Sequence, residues 1–359
     1  MPRLLLAAGG TGGHMFPAQA LAEHLRIAGW DIAMMTDARG SKHAGNIPAD
    51  PIIEISAASI SLRKPVNAIK GLIKLNKGVR QAKHFIKDWR PDIIVGFGGY
   101  PAFPALRAAQ SLGLPTVLHE QNAVLGRVNR VFAKKATIVV SGFDVLKRLP
   151  KGAQHKCLGN PLRQQIIKSI PKVYETPRET LNLLIVGGSL GARILSKILP
   201  VALSSLSEDL RTRLNVVQQV TKDEVEIARN TYKSANISAI CEPFFSDIER
   251  HLAKAHYVIG RAGASSVSEI AAMGKPSLLI PLAIAMDDHQ TMNAKSLERL
   301  DAADILPESE FTPERAKLIL EDRLNDTDWL KSASASASKA GRLNAGSDLA
   351  TLVSELVSG

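Results

Sequence analysis

The sequence is poor in aromatic side chains and in cysteine, and each shortage argues against a class of protein. Phe, Trp and Tyr make up 4% of the 359 residues, which is too few for the stacked aromatic platforms that bind single-stranded nucleic acid. The two cysteines, Cys157 and Cys241, lie far apart and have no paired ligands nearby. This spacing argues against a disulfide framework and a structural zinc site, and it favours a reducing compartment.

Long hydrophobic runs are also missing. The longest apolar stretch, residues 277–286, contains Pro281 and is far too short to span a bilayer. The N-terminus enters a predicted strand at once, without the basic and apolar leader of a secreted protein. We therefore expect a soluble protein, and one that lies on a membrane surface is still compatible with the sequence.

Positive charge exceeds negative charge along the chain. Forty-five Lys and Arg against 34 Asp and Glu give a formal net charge of +11. Such a balance favours polyanions, anionic membranes or phosphorylated substrates as partners. Charge alone does not choose among these three.

The order of apolar runs predicts two α/β domains. The chain of 359 residues is longer than the roughly 250 to 300 residues at which a single core usually stops growing. Predicted strands and helices alternate through residues 3–140 and again through 182–300, which is typical of doubly wound parallel sheets. Pro and Gly at 159–161 and a polar stretch at 168–180 interrupt this alternation. We therefore predict domains at residues 1–160 and 161–337.

Each predicted domain begins with an apolar strand, a glycine loop and a helix. The loops read GGTGGH at residues 9–14 and GGSLGA at 187–192. Glycine permits positive φ and close approach of a ligand, and a helix start offers unpaired N–H groups to an anion or a sugar hydroxyl. A turn that merely packs is the alternative for either loop. Neither loop has the Gly-x-Gly-x-x-Gly or Gly-Lys-Ser/Thr pattern, which disfavours a dinucleotide oxidoreductase or a P-loop nucleotidase.

Ligands of doubly wound sheets bind beyond the carboxyl ends of the strands, where both glycine loops fall. Two such domains facing each other would form a cleft lined from both sides. The sequence therefore predicts a site between the domains.

Two further segments of the second domain follow apolar strands. Residues 262–271, AGASSVSEIA, open a helix with small and hydroxylated residues, and Glu269 is placed either to accept hydrogen bonds from a ribose diol or to be a plain surface glutamate. In DDHQTMNA, residues 287–294, Gln290 and Asn293 can both donate to and accept from sugar hydroxyls. Asp287 and Asp288 are adjacent rather than separated by one residue, which disfavours a metal site.

Polar residues also follow two strands of the first domain, in GFGGYP at 96–101 and HEQNAVLG at 119–126. His14, His119 and Glu120 are candidates for a general base, which must reach the proton of the attacking hydroxyl. A lone histidine is more often a satisfied core or cap residue. Convergence of these groups on one face favours the catalytic interpretation.

Residues 64–90 are predicted to form a basic amphipathic helix. Ile69, Ile73 and Phe85 lie off its main apolar stripe. One interpretation is a core-packed helix with a solvated charged face, and the other is reversible adsorption to an anionic bilayer. The stripe consists of residues 72, 75, 79, 82, 86 and 89, and Lys70, Lys74, Lys77, His84 and Lys87 share another side.

Taken together, these motifs resemble the MurG family of bacterial transferases over almost the whole chain. The family transfers N-acetylglucosamine from its UDP donor to undecaprenyl-pyrophosphoryl-N-acetylmuramyl-pentapeptide and so converts lipid I to lipid II. The resemblance implies the two-domain glycosyltransferase B fold, with a last helix, here 338–357, that crosses back to the first domain. The motifs that carry it, in the family's order, are GGTGGHMFP, VGFGGYPAFP, HEQNAVLGRVNR, GNPLR, GGSLGAR, RAGASSVSEIA and DDHQTMNA.

The resemblance also implies roles for individual residues. His14 would be the base, Asn122 would contact the donor sugar, Glu269 would hold the ribose, and Gln290 would bind the 3- and 4-hydroxyls of the sugar. Phe245 lies where the family reads uracil through backbone groups. The loop near the acceptor pyrophosphate would be Thr11, Gly12 and Gly13, and the groups near the donor phosphates and sugar would be Arg163, Ser189, Ala264, Ser265, Ser266, Val267 and Ser268.

The implied reaction is an inverting single displacement without an obligatory metal or cofactor. The implied partners are UDP-N-acetylglucosamine, lipid I, an anionic membrane surface and other cell-wall synthesis proteins, with no nucleic acid. The protein would lie peripherally on the cytoplasmic face of the bacterial inner membrane. Rival interpretations are another glycosyltransferase B enzyme, a UDP-sugar 2-epimerase, or a non-catalytic basic protein that binds membrane or nucleic acid.

Overall fold

The chain divides into two α/β units. The computed structural model describes residues 1–10, 12–41, 44–57, 65–188, 193–282 and 286–358, with the backbone alone for 65–70 and Met286. One unit comprises Met1–Arg163 with Leu343–Gly359, and the other comprises Gln164–Arg342. Each contains one sheet in which all pairings are parallel.

The sheet of the first unit has the strand order β3-β2-β1-β4-β5-β6-β7. Because the order reverses between β1 and β4, the loops that follow these two strands open the crevice in which such sheets bind ligands. The strands are β1 Arg3–Ala7, β2 Asp31–Thr36, β3 Ile52–Glu54, β4 Ile93–Gly96, β5 Thr116–Glu120, β6 Ile138–Ser141 and β7 His155–Cys157.

Helices cover both faces of this sheet, which explains the unbroken apolar runs at 4–7 in β1 and 93–95 in β4. Leu4 and Leu6 of β1 belong to a cluster on one face, and Leu5 belongs to a cluster on the other. The first five helices are α1 Gly12–Ile27, α2 Ala38–Ser41, α3 Pro65–Trp89, α4 Ala102–Ser111 and α5 Arg127–Phe132.

The second unit repeats the arrangement with the order β10-β9-β8-β11-β12-β13, so its switch point lies between β8 and β11. Its strands are β8 Leu181–Val186, β9 Leu214–Gln219, β10 Ser238–Glu242, β11 Tyr257–Gly260, β12 Ser277–Leu279 and β13 Ala303–Ile305. Its helices are α6 Gln164–Lys168, α7 Arg193–Ser204, α8 Glu208–Arg213, α9 Val225–Ser234, α10 Ile248–Lys254, α11 Ala264–Ala272, α12 His289–Glu298, α13 Pro313–Asn325 and α14 Thr327–Ala340.

The chain ends in α15, Ala345–Ser358, which packs on α1 of the first unit. The helix predicted at 338–357 is therefore two helices. Residues 338–340 end α14, which belongs to the second unit, where Ser334 Oγ donates a 2.7 Å hydrogen bond to the carbonyl of Gly274. The return to the first unit begins at Leu343.

The boundary between the units also differs from the predicted one, since the first unit continues through Arg163 rather than stopping at residue 160. The Arg163 guanidinium lies 4.7 Å from the centroid of the Phe16 ring in α1. Asn160 is buried and donates through Nδ2 to the Gln121 carbonyl at 3.0 Å. These contacts hold the segment GNPLR on the first unit.

Candidate functional site

The loops that follow β1 and β4 touch at the switch point of the first sheet. A Cβ on Gly9 would lie 2.7 Å from Pro101 Cγ, so only glycine fits there. Gly10, Gly98 and Gly99 have φ values of +90°, +83° and +74°, in the region that favours glycine. Glycine is required at position 9 because the neighbouring loop packs against it. A packing role was the alternative to ligand binding that the sequence left open for this loop.

His14 lies in the first turn of α1, half-buried, with Nδ1 3.0 Å from Gln121 Oε1. Gln121 Nε2 lies 3.1 Å from His119 Nδ1 and donates to the carbonyl of His119 at 3.2 Å. His119 Nε2 lies 3.1 Å from the carbonyl of Gly159. The structure thus brings two of the predicted base candidates together through an amide that the sequence analysis had not singled out.

His119 is inaccessible, with 0% of its surface exposed. Burial lowers the pKa of its imidazole from 6.5 to about 4, because charging a group in an apolar interior is unfavourable. Both of its ring nitrogens face partners inside the protein. His119 is therefore corrected from a candidate base to a neutral residue that supports His14.

Glu120 also requires correction. Its carboxylate is 3% exposed and accepts four hydrogen bonds, from Asn122 N at 3.1 Å, Asn122 Nδ2 at 3.2 Å, Gly126 N at 2.8 Å and Asn129 Nδ2 at 2.9 Å. All four donors belong to residues 122–129, so both oxygens of the carboxylate are engaged by the segment that follows it. We assign Glu120 to holding the loop at 121–126, and thereby Asn122, in place.

Asn129 was missed by the sequence analysis. It is 1% exposed and donates through Nδ2 both to Glu120 and, at 3.3 Å, to the carbonyl of His119. A Cβ on Gly98 would lie 3.4 Å from this Nδ2 and 3.5 Å from His14 Cε1, so both side chains pack against Gly98. One indication of its role was present in the sequence, because Asn129 lies in the polar segment HEQNAVLGRVNR together with His119 and Glu120.

In the second unit, the loop after β8 begins with Gly187, whose N–H donates to Gln219 Oε1 at 3.1 Å, and Gly188, whose φ is +79°. Ser189 lies outside the described residues, as does Thr11 of the first glycine loop. The nearby Arg261 is buried and donates through Nη1 to the carbonyl of Ile280 at 3.2 Å and to Glu308 at 2.7 Å. Arg261 therefore ties together the loops that follow three neighbouring strands.

Helix α11 starts directly beyond the carboxyl end of β11. Its first helical hydrogen bond runs from Val267 N to the carbonyl of Gly263 at 2.9 Å, so the amides of 264–266 precede the bonded ladder. Ser265, Ser266, Ser268 and Glu269 are half-buried. Ala264 and Val267 have buried side chains, so any part they take in binding falls to their backbone.

Gln290 lies in the first turn of α12 and accepts a 2.9 Å hydrogen bond from Leu282 N through Oε1. This contact leaves its amide NH₂ to donate. Asn293 is 0% exposed and donates to the carbonyl of Ala262 at 3.1 Å, so the predicted contact of its side chain with a sugar is replaced by a structural one. Asp287 and Asp288 have left-handed φ values of 59° and 54°.

Phe245 follows β10 and packs edge-on against His251 with ring centroids 5.0 Å apart. Phe245, Gly187, the start of α11 and Gln290 follow β10, β8, β11 and β12, and parallel strands present their carboxyl ends at one edge of a sheet. Within the described part of the chain, no group of three or more His, Cys, Asp or Glu side chains is placed to hold a metal ion. A cleft between the two units stays a prediction.

Helix α3 has an unusual exposed side. Leu72 and Ile73 are 53% and 65% exposed, and the neighbouring Lys74 and Lys77 are exposed as well. Leu75, Ala82 and Ile86 are buried as predicted, whereas Leu72 does not belong to the core stripe to which it was assigned. Phe85 stacks on Trp89 with centroids 5.7 Å apart. The side chains of Ile69 and Lys70 lie outside the described residues.

A search of the helices, restricted to the described segments, finds none with the length and apolar character needed to cross a bilayer. A cavity of about 380 Å³ opens beside the first-unit loops. Arg39, Lys74, Tyr100 and Pro101 are among its lining residues. The cavity thus joins the exposed side of α3 to the loop that packs against Gly9.

Comparison with known proteins agrees with this geometry. Models of the glycosyltransferase family 28 N-terminal and C-terminal domains match residues 4–141 and 182–349. A protein of Maricaulis maris named UDP-N-acetylglucosamine--N-acetylmuramyl-(pentapeptide) pyrophosphoryl-undecaprenol N-acetylglucosamine transferase is 50% identical over 99% of this chain and 98% of its own. The protein of the same name from Caulobacter vibrioides is 43% identical over 97% of each chain.

Solved structures give the same picture. Acinetobacter baumannii MurG is 31% identical, with a TM-score of 0.81 and coverage of 99% of this chain and 100% of that one. A UDP-N-acetylglucosamine 2-epimerase has a TM-score of 0.65 at 15% identity, covering 97% of this chain and 94% of its own. The second likeness shows a shared fold and nothing finer.

Proposed function

The chain belongs to glycosyltransferase family 28, and from this premise we propose that it transfers N-acetylglucosamine from UDP-N-acetylglucosamine to lipid I. The acceptor group is the 4-hydroxyl of the N-acetylmuramyl-pentapeptide on undecaprenyl pyrophosphate. The observation that carries the proposal is the 50% identity, over 99% of the chain, to a relative whose name states this activity. Peptidoglycan synthesis is the process that such a reaction serves.

The second unit is proposed to bind the donor. The amides at the start of α11 and the hydroxyls of Ser265 and Ser266 offer hydrogen bonds to the diphosphate, and the helix N-terminus adds a partial positive charge of roughly half an elementary charge. Glu269, one turn further along and half-buried, would accept hydrogen bonds from the ribose hydroxyls. The NH₂ of Gln290 is suited to donate to a sugar hydroxyl, and Phe245 marks the position for uracil.

The first unit is proposed to supply the base and part of the anion binding. As the acceptor oxygen bonds to the anomeric carbon, the bond from that carbon to the UDP oxygen breaks, and His14 Nε2 takes the hydroxyl proton. Arg163, held over the Phe16 ring, is proposed to pair with the departing diphosphate together with Ser189, because charge-assisted contacts stabilise the charge that develops there. Thr11, Gly12 and Gly13 would lie near the acceptor pyrophosphate. No metal or cofactor is invoked.

The exposed side of α3 is proposed to rest on an anionic membrane. Leu72 and Ile73 are apolar and exposed, and Lys74 and Lys77 lie beside them. A few basic residues contribute about 1 kcal/mol each near an anionic surface, which with a small apolar contact gives reversible adsorption. The cavity that leads from Lys74 to Pro101 would then accept the lipid-linked substrate from the membrane side. We propose that the protein lies peripherally on the cytoplasmic face of the inner membrane, where other cell-wall synthesis proteins would be its neighbours.

Transfer of radiolabelled sugar from UDP-N-acetylglucosamine to a lipid I analogue tests the proposal. We expect labelled lipid and one UDP released for each sugar transferred. A 2-epimerase would change the sugar nucleotide without consuming the acceptor, and a non-catalytic binding protein would bind without releasing UDP. Either of these results would refute the proposed function.

A further inference from the structure

We propose that Gln121 and His119 are positioning residues that hold His14 in the tautomer with a proton on Nδ1 and a lone pair on Nε2. The proposal depends on the function proposed above in one respect only, the task of that lone pair. The task is to take the proton from the 4-hydroxyl of the sugar acceptor. The tautomer itself follows from contacts within the first unit.

The first fixed point is the orientation of the Gln121 amide. Its Nε2 lies 3.2 Å from the carbonyl oxygen of His119, and a carbonyl can only accept, so the NH₂ group must face that side. Oε1 therefore faces His14 Nδ1 at 3.0 Å. Because an amide oxygen also only accepts, Nδ1 of His14 must carry the hydrogen.

The second fixed point is the ring of His119. Its Nε2 lies 3.1 Å from the carbonyl oxygen of Gly159, so Nε2 carries the hydrogen and Nδ1 keeps a lone pair. That lone pair accepts from Gln121 Nε2 at 3.1 Å. The two backbone carbonyls thus demand the same orientation of the amide, and a relay of alternating donors and acceptors runs from Gly159 to His14.

Burial supports this arrangement. Gln121 is 2% exposed and His119 is 0% exposed, so water does not compete for either contact. With its pKa lowered to about 4 by desolvation, His119 is neutral near neutral pH and keeps the lone pair that the amide needs. Asn160 and Asn129 donate to the carbonyls of Gln121 and His119, at 3.0 and 3.3 Å, and so hold the backbone that carries the two middle members of the relay.

The relay also accounts for a motif that substrate contacts leave unexplained. Gly159 has a φ of +96°, a conformation that other residues rarely adopt. This bend presents its carbonyl to His119 while the next residue, Asn160, reaches the carbonyl of Gln121. The segment at 159–160 therefore fixes both the ring and the backbone behind the catalytic histidine.

The test is nitrogen-15 NMR of the full chain with labelled histidine at neutral pH, with the His14 signals assigned from a His14→Asn variant. We expect a protonated Nδ1 and an unprotonated Nε2 at His14. A protonated Nε2 in the unmodified protein would overturn the proposal, whatever the activity. The expected tautomer in a protein that transfers no sugar to a lipid I analogue would overturn the proposed function instead and leave the relay standing.

Two variants of similar size separate positioning from packing. Gln121→Met removes the amide, so we expect His14 to lose its single tautomer and kcat to fall by roughly 10-fold or more, a part of the about 10²- to 10⁴-fold that a general base contributes. Gln121→Glu keeps an acceptor for Nδ1–H of His14 but loses the donor to His119, so His14 should keep its hydrogen on Nδ1 even if kcat falls. If Gln121→Met lowers kcat while His14 keeps its tautomer, Gln121 only packs and the proposal is wrong.

Discussion

Replacing Glu120 tests the corrected role of a residue that the sequence had marked as catalytic. Its carboxylate accepts four hydrogen bonds from donors of the first unit and is 3% exposed. Each buried donor that loses its partner costs about 1 to 3 kcal/mol, and these costs do not simply add. We expect Glu120→Ala to lower the free energy of unfolding of the first unit by about 3 to 5 kcal/mol, within the range for breaking a buried charged network.

Glu120→Gln sharpens the test, because it keeps one acceptor oxygen and places an NH₂ where two donors point. Glu120→Gln should lower the free energy of unfolding by a smaller amount, about 1 to 3 kcal/mol. The assay is urea unfolding followed by hydrogen exchange in β1 and β5, which reports on the first unit alone. Glu355 on α15 is exposed, so Glu355→Gln removes the same charge and should change stability by less than about 0.5 kcal/mol. Full stability of Glu120→Gln combined with a large fall in kcat would refute the structural role and restore the catalytic one.

Three further predictions concern the donor site, pH and the membrane. Glu269→Ala should weaken UDP binding by roughly 10- to 100-fold in calorimetry, because a charged acceptor of two hydroxyls is lost; unchanged affinity would remove its ribose role. The pKa of His119 is lowered from 6.5 to about 4 in the folded chain, so the unfolded chain binds more protons between these values, and this histidine alone should lower the free energy of unfolding by about 3 kcal/mol from pH 7 to pH 4. His119→Asn should flatten this slope in urea titrations, and a wild-type slope in the variant would contradict the assignment. Reversing the charge of Lys74 and Lys77 should lower the binding constant for anionic vesicles, measured by sedimentation, by at least about 30-fold, because each lysine contributes about 1 kcal/mol. Reversing the charge of the exposed Lys331 of the second unit should leave that binding constant unchanged.

The fold followed from the sequence because most positions of its central strands are buried between helices on both faces of the sheet and are therefore apolar. The sequence predicts strands at 3–8, 31–36, 92–96, 115–118 and 136–140, and at 182–186, 214–219, 237–240, 256–259 and 277–280. The three strands outside these ranges, β3, β7 and β13, have three residues each and lie at sheet edges. Ile52 of β3 is 40% exposed. An edge strand has one neighbour and an open side, so it produces no continuous apolar run.

The polar residues of the candidate site follow strand ends and glycine loops within each unit, as the sequence predicts, and their part in binding or catalysis stays a prediction. The contacts of the individual side chains could not be predicted. The role of Glu120 depends on Asn129, nine residues further along, and the relay behind His14 depends on Gly159, forty residues beyond His119. A sequence shows that such residues are polar. Only the folded structure shows which of them are fully hydrogen-bonded within the protein and which keep a lone pair that can accept a proton.

The linkage formed in the product tests the central claim most directly. The donor sugar is α-linked to UDP, so a single displacement that uses His14 as the base must give a β-linked N-acetylglucosamine on the 4-hydroxyl of the muramyl residue. Proton NMR of the purified product of a lipid I analogue distinguishes the two anomers through the coupling between H1 and H2. The account predicts the large coupling of a β-linkage, and an α-linked disaccharide, or none, would contradict it.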